Sequence, residues 1–364
     1  MTFHLSRGLA ALCVATSAAV LPAMPQPAFA AHAYKAHLKP VAVISDTRFT
    51  LDTPQGQAEF PLYLSKDWNV AQPQVTRAVI VIHGKLRNAD VYYRTAQNAR
   101  AAAHADPDTT LLIAPQFLAN LDLRVHDEPA DLLRWTGDAW MGGEAANGPA
   151  PIGSYEVLDA IVARLADRKL FPNLRHVVFA GHSGGGQVVQ RYAVAGRNLA
   201  ALTDEGIDVR YVVASPSTYA YFDALRPDAD GVAAPFDSAQ CPDFNQWKYG
   251  MDKRPPYLAD RSPAQLEATY AARRIDYLVG GADNDPQQSA LDKSCAAEAQ
   301  GPQRVARAQA YYRYMQTRHP QGLNQSFHIV PGVGHDGARM LTSVCALAAM
   351  FDTSNAQSTQ GCEP

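Results

Sequence analysis

The sequence predicts an α/β fold, a mostly parallel central sheet flanked by helices and opened by an antiparallel hairpin. Three observations lead there. Continuous apolar runs of strand length, such as residues 78–82 and 211–214, suit strands covered on both faces. They alternate with stretches of helical period, such as 154–168, where Val157, Ile161 and Leu165 recur at fourfold spacing. At the centre a strand-like segment (175–180), a tight glycine-rich turn (Gly181-His182-Ser183-Gly184-Gly185) and a helical segment (187–194) follow one another directly.

Composition bounds the rest. The chain has 364 residues, 47% hydrophobic and 18% charged, enough to bury a large core and far from a disordered composition. A net charge of −3 gives no electrostatic case for nucleic acid or an anionic membrane. Residues 1–30 read as a signal peptide: Arg7 supplies the positive start, 8–21 the apolar stretch, and Ala28-Phe29-Ala30 the small-x-small cleavage site. The apolar stretch is short for a membrane span. Leu12 before Cys13 argues against a lipidated cysteine. A secreted or periplasmic chain starting at Ala31 is expected, with 31–364 as a single domain.

Four cysteines then remain, Cys241, Cys295, Cys345 and Cys362, and none is spaced as C-x-x-C. An even number in an exported chain favours disulfides, and three pairings are possible. Cys241 with Cys295 is the choice because both flank one sheet edge, and Cys345 with Cys362 because both lie in the C-terminal segment.

The elements are expected in this order. Strands at 41–50 and 57–64 flank a turn at Thr53-Pro54-Gln55-Gly56. A strand at 78–82 runs into His83-Gly84-Lys85-Leu86-Arg87-Asn88. A helix (89–105) and a strand (109–115) follow, then an irregular region (120–148) whose Trp135 and Trp140 either line a pocket or pack the loop down. Ser154 is the expected N-cap of the next helix. After the strand at 210–214, residues of about 216–272 break the alternation with many prolines and aromatics, and an insertion of this kind can form a lid. A strand at 275–279, a helix at 304–318, a strand at 326–330 and a closing helix at 338–351 complete the chain.

The chemistry sits in the turns. Strand, G-x-S-x-G and helix form a nucleophile elbow, with the Ser183 hydroxyl standing clear of the sheet. The strand at 275–279 ends in Gly280-Gly281-Ala282-Asp283-Asn284-Asp285, where an acid is required; Asp283 is the first choice and Asp285 the second. Asp276 begins its strand and would point from the wrong end. The turn at Ser215-Pro216-Ser217-Thr218 offers no carboxylate. His335 follows the last strand on Pro331-Gly332-Val333-Gly334-His335-Asp336. Serine, acid and histidine thus come in the order this chemistry uses. His335 would take the proton of Ser183, Asp283 would orient His335, and the backbone N–H groups of Gly184 and Lys85 would bind the oxyanion, with Leu86 the alternative donor. His83 is expected to brace its loop. Arg87 is either a substrate contact or a solvated charge. No metal or organic cofactor is called for: the Asp283-Asn284-Asp285 cluster lacks the spacing of a calcium loop. Asn324-Gln325-Ser326 is a sequon that matters only in a eukaryotic secretory host.

The chain resembles the α/β-hydrolase superfamily over nearly all of its mature length. More closely it resembles a group of exported bacterial and fungal hydrolases of poorly defined substrate. The shared segments are His83-Gly84 with Arg87-Asn88-Ala89-Asp90, Ser215-Pro216-Ser217, Asn245-Gln246-Trp247-Lys248-Tyr249-Gly250, Asp292-Lys293-Ser294-Cys295 and Gly332-Val333-Gly334-His335-Asp336. The resemblance implies the α/β-hydrolase fold and the triad, not a substrate. The expected activity is hydrolysis of carboxylic esters, small or polymeric, without nucleic-acid partners or stable membrane insertion; oligomeric state stays open. An amidase or peptidase with the same triad, and a hydrolase-fold binding protein, are the alternatives.

Overall fold

The computed structural model describes residues 1–2, 38–353 and 362. The signal-peptide segment therefore lies almost wholly outside the described residues. The unit that begins at Tyr34 carries an eight-stranded sheet: β1 (Arg48–Thr53), β2 (Gly56–Leu64), β3 (Arg77–Ile82), β4 (Thr110–Pro115), β5 (His176–His182), β6 (Asp208–Ala214), β7 (Arg274–Gly280) and β8 (Gln325–Val330). Their spatial order is β1-β2-β4-β3-β5-β6-β7-β8. β1 pairs antiparallel with β2, and β2 antiparallel with β4. Every other pairing is parallel.

The helices are α1 (Ala89–Ala102), α2 (Asn120–His126), α3 (Ser154–Ala166), α4 (Gly184–Ala195), α5 (Pro263–Ala272), α6 (Arg304–Arg318), α7 (Gly337–Leu341) and α8 (Val344–Phe351), with some single turns between. Strand periodicity divides the core into two layers. Ala78, Ile80 and Ile82 of β3 pack on one face with residues of α3, α4 and α6. Val79 and Val81 pack on the other with α1, α7 and α8. Parallel strands buried on both faces are apolar throughout for this reason.

Four expectations need correction. β1 starts at Arg48, because the preceding backbone bonds to side chains: Val41 N–H to Asp122 and Ser45 N–H to Gln116. Ser154 is the first residue of α3, not its cap. Its hydroxyl donates to the Trp140 carbonyl, while Glu156 accepts from the N–H of the capping Gly153. The closing helix is two helices, because the Ser343 hydroxyl accepts from Ala346 N–H and starts α8 afresh. Within 120–148, α2 forms, and both tryptophans are buried. Trp140 stacks on Phe117 at 5.3 Å and leans on His83, so these rings pin the loop down.

The start of the stretch 216–272 packs inward, with 216–222 buried. Tyr219 stacks on Tyr311 of α6 at 4.5 Å, and Tyr221 meets the same ring edge-on. Cys241 is bonded to Cys295 and Cys345 to Cys362. No described helix is long and apolar enough to cross a membrane.

Candidate active site

Register places the chemistry at one edge. Ile82 of β3 lies beside Gly181 of β5, His182 beside Ala214 of β6, and Gly280 of β7 beside Val330 of β8. The loops carrying Lys85, Ser183, Asp283 and His335 all leave these carboxyl ends. Ser183 takes φ 59° and ψ −119°, a positive φ that a side-chain-bearing residue adopts only when its surroundings impose it. The imposing contacts are close: a β-carbon on Gly185 would overlap the Ile82 carbonyl, and one on Gly181 would overlap the Gly185 backbone. Ser183 N–H is tied to the Ala214 carbonyl at 2.9 Å.

Ser183, His335 and Asp283 meet in a line. His335 Nε2 stands 2.9 Å from Ser183 Oγ, and its Nδ1 stands 2.8 Å from Asp283 Oδ2. With the proton on Nδ1 the ring donates to Asp283 and offers Nε2 to the serine hydroxyl. Asp285 is exposed and accepts from Gln287 N–H, away from His335. Asp276 accepts from Ser326 Oγ within the sheet.

Sequence reasoning did not foresee Arg304. Its Nη1 donates to Asp283 Oδ1 at 3.0 Å and its Nη2 to Ser217 Oγ, and both Arg304 and Asp283 are buried. Burial alone would raise the Asp283 carboxyl, but the hydrogen bond from His335 and the Arg304 charge outweigh it and hold the group below its usual range. Burial lowers His335, the bond to Asp283 works against that, and the Arg304 charge adds to it; the net shift is downward. No spacing signal links residues 283 and 304, so only the fold reveals the pair.

The opposite wall comes from the loop after β3. A β-carbon on Gly184 would stand 3.0 Å from the Lys85 nitrogen, so the two backbone N–H groups named from the sequence are neighbours. Gly184 also opens α4, whose first N–H groups lack carbonyl partners within the helix. His83 braces the loop as expected: Nδ1 meets the Gly84 carbonyl at 2.8 Å and Nε2 accepts from Phe117 N–H. Burial lowers its pKa to about 4, so it is neutral. Arg87 is neither of the two things expected of it. It is fully buried, has φ 58°, and holds Asp122 through Nε at 2.7 Å and Nη2 at 3.0 Å.

Two further residues missed from the sequence stand beside Ser183 and His335. His182 is buried, its ring 4.6 Å from that of His335, and its Nδ1 lies 3.3 Å from Tyr92 Oη. Burial and the neighbouring His335 lower its pKa, so it packs as a neutral ring. A cavity of about 180 Å³ opens at Ser183, lined by Leu86, Tyr92, His182, Ala290 and His335 among others. No residue of 216–272 lines it.

No family model and no curated protein sequence matches the chain. Solved structures do. LpqC, a poly(3-hydroxybutyrate) depolymerase from Bordetella parapertussis, superposes with a TM-score of 0.59 at 21% identity, covering 89% of this chain and 96% of that one. Poly(aspartic acid) hydrolase-1 from Sphingomonas sp. KT-1 gives 0.55 at 21% identity, covering 86% and 99%. Strand order, the strand–turn–helix at Ser183 and these superpositions agree: the chain has the α/β-hydrolase fold.

Proposed function

We propose that the chain is an exported serine hydrolase that cleaves carboxylic esters through Ser183, His335 and Asp283. The observation that carries this reading is the unbroken contact from Ser183 Oγ through His335 to Asp283. Ser183 Oγ attacks the ester carbonyl while its proton passes to His335 Nε2. Asp283 keeps Nδ1–H oriented and stabilises the imidazolium. The N–H groups of Gly184 and Lys85 receive the oxyanion, and one such donor is worth roughly 10²–10³ in turnover. His335 returns the proton to the alcohol oxygen as the carbon–oxygen bond breaks. Water, deprotonated by His335, then releases the acid and restores Ser183.

The names of the two superposed proteins, a depolymerase and a hydrolase, support a hydrolytic reading. Export rests on the signal-like residues 1–30 and the two cystine bridges.

Hydrolysis of p-nitrophenyl esters from acetate to palmitate, beside matched p-nitroanilides and with Ser183→Ala as blank, tests the reading. Ester turnover lost in the variant is expected. Cleavage of anilides alone would make the chain an amidase. Silence on both, with no labelling by a fluorophosphonate, would make it a binding protein.

A further inference from the structure

Two neutral polar side chains in the cavity at Ser183 have no part in the triad or the oxyanion contacts. Gly84, Leu86, Ala290 and Gly337 give the cavity little but shape, and the ammonium of Lys85 is paired with Asp138. Asn88 and Tyr92 also line it. They stand four residues apart at the start of α1, so they share one side of its first turn.

Asn88 is the N-cap of α1, a place that suits asparagine because its side chain can accept from the first N–H groups of a helix. Here it does not. The side chain makes no cap bond and has no hydrogen-bond partner among the described residues; only the Asn88 carbonyl is engaged, by Val91 and Tyr92 N–H. An amide left out of capping keeps two donors and an acceptor for a group that enters the cavity.

Tyr92 Oη meets His182 Nδ1 at 3.3 Å, and the Gly84 N–H faces it. A hydroxyl has one donor and two acceptor sites, so whichever tautomer His182 takes, Tyr92 keeps one of the three for the cavity. Burial raises its pKa, and it stays protonated. Two glycines keep the space beside it open. A β-carbon on Gly84 would stand 3.0 Å from Tyr92 Oη and 3.9 Å from Ser183 Cβ, and one on Gly337 would stand 3.2 Å from Tyr92 Oη. The hydroxyl and the nucleophile therefore border one gap.

We propose that Asn88 and Tyr92 are specificity-determining residues that receive a neutral hydroxyl group carried by the substrate close to its ester bond. This rests on the serine-hydrolase reading and narrows its substrate class to esters of short hydroxy acids, or of diols and polyols. An alkyl group in the cavity would strip water from the amide and the phenol without returning a bond; a hydroxyl of the same size returns it. A cavity of about 180 Å³ admits only a short group, so the hydroxyl lies near the ester. A charge is not called for, since Lys85 has Asp138 and the Asp336 carboxylate acts on Tyr92. Lys85 on one wall and His335 on the other leave either half of the ester able to enter, and the test separates the two.

The test uses two pairs of esters in which a hydroxyl replaces a methyl group. 2-Hydroxyethyl butyrate against propyl butyrate puts the hydroxyl on the alcohol half. Ethyl 3-hydroxypropionate against ethyl butyrate puts it on the acyl half. The ratio of kcat/KM within each pair is followed by acid release in the full chain. The intrinsic difference in reactivity is the same for every protein and cancels when ratios are compared. Asn88→Ala and Tyr92→Phe should each lower the ratio by about threefold to tenfold in one pair, the range of one hydrogen bond, and that pair names the half that carries the hydroxyl. Each variant's turnover of the alkyl esters is its own folding control, and Asn88→Ser serves where the alanine variant does not fold. Ratios that stay at the wild-type value in the Asn88 and Tyr92 variants, in both pairs, overturn the proposal. Alkyl ester hydrolysis that depends on Ser183 would leave the wider reading standing in that case. No turnover of any ester, with no fluorophosphonate labelling, overturns both.

Discussion

Arg304 and Asp283 form a buried ion pair at the back of the proposed triad: Arg304 Nη1 lies 3.0 Å from Asp283 Oδ1, and the other carboxylate oxygen holds His335. In the proposed mechanism, a cation on Asp283 competes with the imidazolium that His335 must form. It also fixes the carboxylate plane, since the same guanidinium bonds Ser217. The expected consequence is a site that trades some basicity for rigidity and for activity at lower pH.

The pH profile reads this directly. The proposed role of base requires a neutral His335, and burial with Arg304 lowers its pKa from the ordinary value of about 6.5. Activity should fall as pH drops through that lowered pKa, so the acid limb should have its midpoint below about 6.5. Arg304→Gln removes the charge, and the limb should move up. Arg304→Lys keeps the charge but not the fork, and should restore the limb with less of the rate. Limbs that coincide in all three proteins would show that Arg304 is only a strut.

Asp283→Asn should cost far more than Asp285→Asn. Loss of the orienting acid costs on the order of 10⁴ in turnover in proteases with this triad. Asp285 touches only its own turn, at Gln287 N–H, and its substitution should leave kcat within about twofold. Steady-state kinetics on one ester checks both; a reversal would move the acid by two residues.

Arg87 and Asp122 predict stability rather than rate. Asp122 accepts from Val41 N–H, Ala119 N–H and Arg87, and it ties the leading segment to the loop after β3. Arg87→Ala would strand a buried carboxylate and should cost about 3–5 kcal/mol in urea unfolding. A loss under about 1 kcal/mol would mean that the carboxylate finds solvent.

The Cys241–Cys295 bridge spans 54 residues of sequence. Replacing both cysteines by serine should cost about 2–4 kcal/mol. The bridge also tethers the stretch after Asp283, which supplies Ala290 to the cavity, so KM should rise more than kcat falls. Unfolding and kinetics on the double variant separate the two effects.

What was legible in the sequence is what local rules govern. The run from Gly181 to Gly185 states its own geometry, because a serine at positive φ between close-packed backbones needs glycines on both sides. Asp283 and His335 could be singled out because each follows a strand in a glycine-rich turn. Arg87 and Arg304 could not be read correctly, since their partners lie 35 and 21 residues away and no periodicity links them. A lone arginine in a loop looks solvated until the fold closes over it. The Ser154 cap failed for a similar reason: the Trp140 carbonyl, 14 residues earlier, claims the hydroxyl. The aromatics of 216–272 read as part of a lid, and the packing of Tyr219 and Tyr221 on Tyr311 of α6 could not be read from their spacing.

The most direct test of the central claim is the site of fluorophosphonate attachment, read by peptide mass mapping with ester turnover followed in parallel. One adduct per chain is expected, on the peptide containing Ser183, formed as activity is lost and absent from Ser183→Ala. An adduct on another residue, or full ester turnover by Ser183→Ala, would contradict it.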